Sequence, residues 1–261
     1  MEIKYRRFVN EVEFSRQLLG IGLSSLRKAN FSSQGVYYQA LSSISLGLER
    51  IMKLCLILDD FNRSGKYTSE KQLRDYGHDL LRLYRLIHER TSNDITLKEY
   101  HLKALELLTT FAKSSRYSNI NFITSNQDID PIKQWYNEID KRIFNDILTE
   151  KQRVKINEKC KLIERKANSL PIYIMGYYDE NRNEIKSAGQ LHYLLTRSEM
   201  LAGYRVLIVI QIIESICNIL KSHTRDPRDN QYNFLELGRI FATITYGSDR
   251  EKRNRKDFTR Y

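Results

Sequence analysis

The chain is predicted to be all-α, and three observations carry that reading. Only 3 Pro and 11 Gly occur in 261 residues, so helix breakers are few. Long segments rich in Leu, Ile, Lys, Glu and Arg repeat their apolar residues at helical spacing, whereas strand-like alternation is hard to find. The clearest stripe is Tyr37, Leu41, Ile44, Leu48, Ile51, Cys55 and Leu58, which alternates steps of four and three residues.

Taken in order, residues 7–28 read as a first helix with Phe8, Val12, Leu18, Leu19 and Leu26 as its apolar contacts. Gly20 and Gly22 either weaken its middle or allow close packing. The core helix follows from about Ser33 and ends near Asn62-Arg63-Ser64-Gly65, where Gly is the terminator. Ser69 to Arg74 reads as a short helical turn broken by Gly77, and Asp79 as the N-cap of a helix to about Arg90. Leu80, Leu83, Tyr84 and Ile87 form its buried stripe, and the connecting segment is expected to return it antiparallel along the core helix. Thr96-Leu-Lys-Glu99 resembles a capping box for a helix that turns Leu102, Leu105, Leu108 and Ala112 inward and ends near Arg116.

Residues 117–129 are rich in Asn and Ser and read as a loop. Asp130-Pro131 marks a helix start, and the helical pattern then runs to about Asn168 through Trp135, Ile139, Ile143, Ile147, Val154, Leu162 and Ile163. From Glu150 to Lys166 it carries seven Lys or Arg against three Glu, which suits a solvated, protruding rod; the alternative is a face that tracks a phosphate backbone. Leu170 to Ile174 is short, apolar and β-branched enough for a small strand. Ser187-Ala-Gly-Gln190 resembles a second capping box, opening a helix to about Ser222. A loop at Arg225 to Asp229 and a last helix over Asn233 to Tyr246 precede the tail, Ser248 to Tyr261, with six basic and three acidic residues. The expected organisation is an amino-terminal helical bundle over residues 1–129, with 130–261 as a helical extension packed on it and 248–261 as a basic tail.

The net charge is +11, with a pI near 9.4, which raises the prior for a polyanionic partner such as RNA. The excess is spread out, as it also is in Lys-rich helical proteins that bind no nucleic acid. The most apolar stretch, Val206 to Ile213 with Gln211 inside it, is well short of the ~20 residues of a bilayer span, so no membrane is expected. The amino terminus lacks an apolar h-region, and Cys55, Cys160 and Cys217 are odd in number and widely spaced. A cytoplasmic protein with reduced core thiols is the expectation.

Neither the five His nor the three Cys fall at metal-ligand spacing such as CxxC or HxxxH. P-loop, GxGxxG and GxSxG motifs are absent, which removes the usual supports for nucleotide hydrolysis, dinucleotide binding and α/β-hydrolase chemistry. No metal or other cofactor is implied. Asp128-x-Asp130 reads as a helix cap more readily than as a cation site. The residues suited to chemistry lie around the core helix. Glu49 and Lys53 stand one turn apart, and His78, Arg82 and Arg85 recur at four and three residues on the facing segment. In that arrangement Arg82 holds a phosphate oxygen, His78 exchanges a proton, and Glu49 orients His78 or Lys53. The alternative is an ion pair of Glu49 with Lys53 or Arg82 that only pins the helices.

Tyr38-Gln-Ala-Leu, Leu48-Glu-Arg-Ile-Met-Lys53 and Tyr76-Gly-His-Asp-Leu80, in that order, resemble the HEPN superfamily of helical domains from prokaryotic toxin, abortive-infection and RNA-processing systems. The likeness covers residues 37–90. It implies an up-and-down helical bundle, often paired with a second copy or a helical partner, to which this chain's own pattern adds long carboxy-terminal helices. For catalytic members it implies a metal-independent ribonuclease using an Arg followed four to six positions later by His, near the start of a late helix. Here Arg82 and His88 have that spacing, but they lie in the helix after Gly-His-Asp-Leu and would point about 120° apart on an ideal helix. Arg116 begins a similar element with Asn121 where His would stand, and Asn is no general base. The resemblance therefore implies an effector of a prokaryotic defence or toxin system that cleaves or binds RNA, or else a non-catalytic interaction subunit of such a system. Its expected catalytic set is His78, Arg82, Glu49, Lys53 and His88, with Arg85 and Arg116 on the RNA. The stripe of Trp135, Ile139 and Ile143 is expected to need cover from a homodimer or helical partner.

Overall fold

A computed structural model describes residues 2–91, 97–125, 129–172, 174–223 and 237–260, and within them the chain is all-α, with no strand. The predicted core helix is α2 (Gln34–Ser64). It is closed by Gly65, whose φ of 69° lies in the left-handed region that L side chains resist. Its whole stripe from Tyr37 to Leu58 is buried. Helix α1 (Glu2–Lys28) runs antiparallel to it, since Glu11 pairs with Arg50 while Gly22 packs on Ile44. Close approach explains the glycines here: a Cβ on Gly22 would lie 2.6 Å from Ile44 Cγ1.

The second central element is α9 (Ala188–His223), opened by Ser187, whose hydroxyl accepts the Gln190 N–H. It lies parallel to α2, with Arg205 bonded to the Tyr37 hydroxyl at one end and the His223 carbonyl accepting from Asn62 at the other. Helix α8 (Glu150–Asn168) packs antiparallel along α9, so it is no protruding rod; Ile156, Cys160 and Ala167 are buried while its Lys and Arg face outward. Among the described helices α9 alone is long and apolar enough to cross a membrane, a property that the eight-residue run understates. Of its most apolar window, 78% is buried inside the fold.

Helix α3 (Glu70–Asp75) starts with a Ser69 capping box, and α4 (Leu80–Glu89) with the Asp79 side chain accepting the Arg82 N–H. The expected antiparallel pairing of α4 with α2 is not what forms. His78, just before α4, touches Glu49, while Arg90, just after it, pairs with Asp59 and Asp60, so the two helices run in the same sense. The chain between them, including α3, makes the return journey instead. Helix α5 (Glu99–Lys113) is antiparallel to α4, as the Lys113 to Asp79 pair requires. Thr96 of the expected capping box is outside the described residues. The His101 ring closes this end: Nδ1 accepts the Lys98 N–H at 3.1 Å, and Nε2–H donates to Gln211 Oε1 at 2.8 Å. Burial pushes the His101 pKa down, in keeping with that neutral tautomer.

Several expectations are overturned beyond Lys113. Residues Ser118–Ser125 form a helix, α6, in the predicted loop. The predicted continuous helix from Pro131 is interrupted: α7 (Pro131–Trp135) passes into π-helical turns at Tyr136–Asp140 and Ile143–Ile147, and Leu148 is extended with ψ 137°. Thr149 and Gln152 then cap a fresh start, α8. Trp135, Ile139 and Ile143 are buried by the chain itself, which removes the stated reason for a partner on that stripe. No strand forms over Leu170 to Ile174, of which Tyr173 is outside the described residues; a single bridge, Tyr178 to Glu184, closes a turn with Arg182 at φ 65°. The Arg225 to Asp229 loop and the start of the last helix also fall outside. The described part of that helix is split into α10 (Leu237–Ile240) and α11 (Ala242–Thr245) around buried Phe241. The basic tail is folded: Ser248 caps α12 (Asp249–Asn254), Lys252 pairs with Glu214, and Phe258 is buried.

One apolar cluster runs from Val12 to Phe258 and draws on both halves of the sequence. Within it Arg205 is fully buried, and both terminal nitrogens of its fork donate to oxygens while Nε makes an ion pair with Asp140 without a hydrogen bond. Nη1 donates to Ala29 O and Tyr37 Oη, Nη2 to Ser198 O and Oγ, and Nε faces Asp140 Oδ1 at 3.2 Å. Burial raises the Asp140 pKa to about 6 against the pull of Arg205 and Arg197, and that of nearby Glu180 to about 7. The three thiols are free, buried and pushed up by desolvation.

Candidate functional site

A groove of about 710 Å³ opens between one side of α2, α1, and the α3 segment that leads to α4. From α2 come Leu46, Glu49, Arg50, Lys53, Leu54 and Ile57, the i, i+3, i+4 positions on the flank of the buried stripe. Across the groove stand Glu70, Leu73, Arg74, Gly77 and His78, with Glu11 of α1 at one edge. Gly77 has φ 65°, a left-handed turn that lets the chain reverse direction immediately before His78.

Glu49 is the pivot. Its Oε1 accepts from Lys53 Nζ at 2.8 Å, and its Oε2 from His78 Nδ1 at 2.9 Å. A carboxylate paired with Lys53 only accepts, so His78 Nδ1 carries the hydrogen and Nε2 is left as the base-like nitrogen. The His78 side chain is 63% exposed, whereas Glu49 is 12% exposed, so a nearly buried carboxylate holds an accessible imidazole by its inner edge. Such an arrangement can orient proton transfer, and the Lys53 ammonium beside it can offset developing negative charge. The other charges of the groove are internally answered, Arg50 by Glu11 and Arg74 by Glu70.

The remaining predicted site residues fall elsewhere. Arg82 and Arg85 are exposed on the outer side of α4 and do not line the groove. His78 precedes α4, so the helical period that places Arg82 and Arg85 does not govern it, and the expected common face is lost. His88 is half-buried in the last turn of α4 beside the Tyr84 ring, 5.9 Å centroid to centroid, with Nε2 buried and without a hydrogen bond. Arg116 is exposed over Tyr117, in the 3-10 turn Ser115–Tyr117 before α6. Asp130 caps α7 through the Ile132 and Lys133 N–H groups and pairs with Arg182; its companion Asp128 is outside the described residues.

Sequence reasoning missed Arg50, Arg74 and the acidic partners on α1 and α3. Arg50 follows Glu49 directly and sits on the same outer flank of α2, a signal that was present but reads like any solvated face. It also missed Arg205, although a lone Arg ahead of the run Val206 to Ile213 marks a charge that must be met inside the fold. Comparison with known proteins finds no matching family model, no similar curated protein and no similar solved structure.

Proposed function

We infer that the groove is an RNA site of a HEPN-like effector in a prokaryotic defence or toxin system, acting in the cytoplasm as a metal-independent ribonuclease. The observation that supports this reading is the Glu49 carboxylate bonded at once to Lys53 and to an exposed His78 in an open groove. In the proposed reaction His78 Nε2 takes the proton of a ribose 2′-hydroxyl as its oxygen attacks the adjacent phosphorus. The bond to the 5′-oxygen breaks, leaving a 2′,3′-cyclic phosphate and a 5′ end that is reprotonated from the imidazolium or water. Glu49 holds the ring in the required tautomer, and Lys53 offsets charge on the phosphoryl oxygens. Arg82, Arg85 and Arg116 are reserved in this proposal for contacts with RNA outside the groove.

A second reading rests on the walls of the groove. Leu46, Leu54, Ile57 and Leu73 are apolar and most of the charges between them are already paired, which also suits a helical segment of a partner in a non-catalytic complex. A homodimer or a helical partner belongs to either form of the proposal, on a surface other than the 135–143 stripe.

Purified protein is to be incubated with total RNA in EDTA. The ribonuclease reading expects cleavage that survives chelation and falls by about 100-fold or more in His78→Ala with the melting temperature unchanged. Intact RNA with the wild-type protein moves the conclusion to the interaction subunit. If His78→Ala and Glu49→Gln instead lower stability by about 1 to 3 kcal/mol and leave cleavage per folded molecule unaltered, the trio is only a structural pin.

A further inference from the structure

A second cavity, of about 540 Å³, lies where the last turn of α1 meets the early turns of α9 and the segment after α12. It shares no lining residue with the groove. Arg27 and Lys28 enter it from α1, His192, Thr196 and Glu199 from α9, and Lys256 from the carboxy-terminal segment. The α9 residues recur at four and three positions, so they present one face. Three permanent cations thus converge with a single carboxylate.

Several partly buried cations elsewhere in the fold have acidic partners, Arg50 with Glu11, Lys53 with Glu49, Arg90 with Asp59 and Asp60, and Lys252 with Glu214, whereas Lys133, Arg197, Arg253 and Arg255 have none among the described residues and do not converge on a common cavity. Among the described residues Arg27, Lys28 and Lys256 form no ion pair. Arg27 is half-buried, its Nη1 reaches only the Glu199 carbonyl at 3.5 Å, and its Nε is buried without a hydrogen bond. Burial pushes its pKa below the ordinary value; Glu199 opposes that and the fully buried Arg205 adds to it. A guanidinium held charged in such surroundings gains from any anion that reaches it. Thr196 is 8% exposed, and its hydroxyl has no partner within the described structure. The cavity therefore offers a fork, two ammonium groups and a hydroxyl that all donate, with little to accept from them.

We propose that this cavity binds a phosphomonoester dianion, with Arg27 and Lys256 carrying the charge and Thr196 and Lys28 completing the hydrogen bonds. A planar guanidinium meets two phosphoryl oxygens at once, which a lone ammonium does not. The volume lies in the range of small-molecule sites, and Ala29 and Leu195 supply a modest apolar wall for an organic substituent. No Phe, Tyr or Trp lines the cavity and the His192 imidazole is its one ring, so the converging cations make the phosphoryl group the main point of recognition.

The test is calorimetric titration of the full chain with inorganic phosphate and, separately, with ribose 5-phosphate, at constant ionic strength set by chloride. Binding of either probe is expected, with affinity reduced at least about tenfold in Arg27→Gln and in Lys256→Gln. The stronger of the two probes tells free phosphate from a phosphomonoester as the ligand. Lys256 is exposed, so its variant reads the site even if Arg27→Gln disturbs folding. His78→Ala is expected to bind as the wild type does, which keeps this result separate from that of the groove. Binding of neither probe, or binding that survives both substitutions, overturns the proposal.

Discussion

Glu180 and Asp140 titrate against the usual direction for carboxylates, because burial raises both and the one fully buried cation between them, Arg205, does not fully compensate. A group whose folded pKa is raised above its unfolded value stabilises the fold while protonated, and that contribution is lost as pH rises through the folded pKa. The window here runs from about 4, the ordinary carboxylate value, to about 6 for Asp140 and about 7 for Glu180. Glu180→Gln keeps a neutral amide in place of the carboxyl. Relative to it, the wild type is expected to lose about 2 to 3 kcal/mol between pH 5 and pH 8, read as a crossing of the two melting-temperature curves. Parallel curves would mean that Glu180 is solvated. At this scale the sequence was informative where spacing within one helix decides the geometry, as for Glu49 and Lys53. It was informative for His78 only through the short distance to the Asp79 cap. Arg82 and Arg85 were misplaced because a turn at Gly77, not a helix, sets the direction of His78. The pairs Arg50 to Glu11 and Arg205 to Asp140 join residues 39 and 65 positions apart and leave no local pattern to read.

Helix ends were more legible than helix directions. Gly65, Asp79, Asp130 and Ser187 act as the terminators and caps that their residue types suggest, since capping is a contest among neighbours three residues apart. Thr149 obeys the same rule, but the apolar spacing of Ile143 and Ile147 continues across it and hides the cap; only the extended Leu148 reveals the break. The sense of α4 was not legible, because nothing in residues 65–79 states how far α3 carries the chain back along α2. Asp79 connects this scale to the groove. Its carboxylate accepts the Arg82 N–H and pairs with Lys113, and although partial burial works against the charged form, these partners hold its pKa below the ordinary value. Asp79→Ala removes the cap and is expected to cost about 0.5 to 2 kcal/mol by urea denaturation. Because His78 is the preceding residue, the proposed ribonuclease reading expects that variant to weaken RNA cleavage more than Lys113→Ala does, Lys113 being the partner that leaves the cap intact. Equal effects of the two variants would separate the start of α4 from the positioning of His78.

At the scale of the whole molecule, the question is whether the last residues belong to the fold or trail from it. Composition favours a trailing basic arm, with six basic residues in fourteen. Packing reverses that: the Phe258 carbonyl approaches α1 so closely that a Cβ on Gly20 would lie 2.5 Å from its oxygen, and a Cβ on Gly203 of α9 would lie 2.6 Å from the Arg253 carbonyl. Two glycines on the two neighbouring helices thus make room for one backbone segment, and the Phe258 N–H donates to Ser24 Oγ across the same seam. The charges of the tail are largely used locally, Lys252 on Glu214 and Arg255 on the Thr243 and Tyr246 carbonyls. Deleting residues 248–261 would lower the net charge of +11 by three, which for a solvated arm leaves thermal stability nearly unchanged. For a folded segment it exposes the Phe258 site, at a cost of about 1.5 to 3 kcal/mol for that side chain alone, and strands the carboxylate of Glu214. Truncation after Gly247 is therefore expected to lower the melting temperature by at least about 5 °C. Gly20→Val should do so in the intact chain, by forcing the same segment off α1. A truncated protein that melts with the full chain would return the tail to solvent and leave the two glycines without a reason.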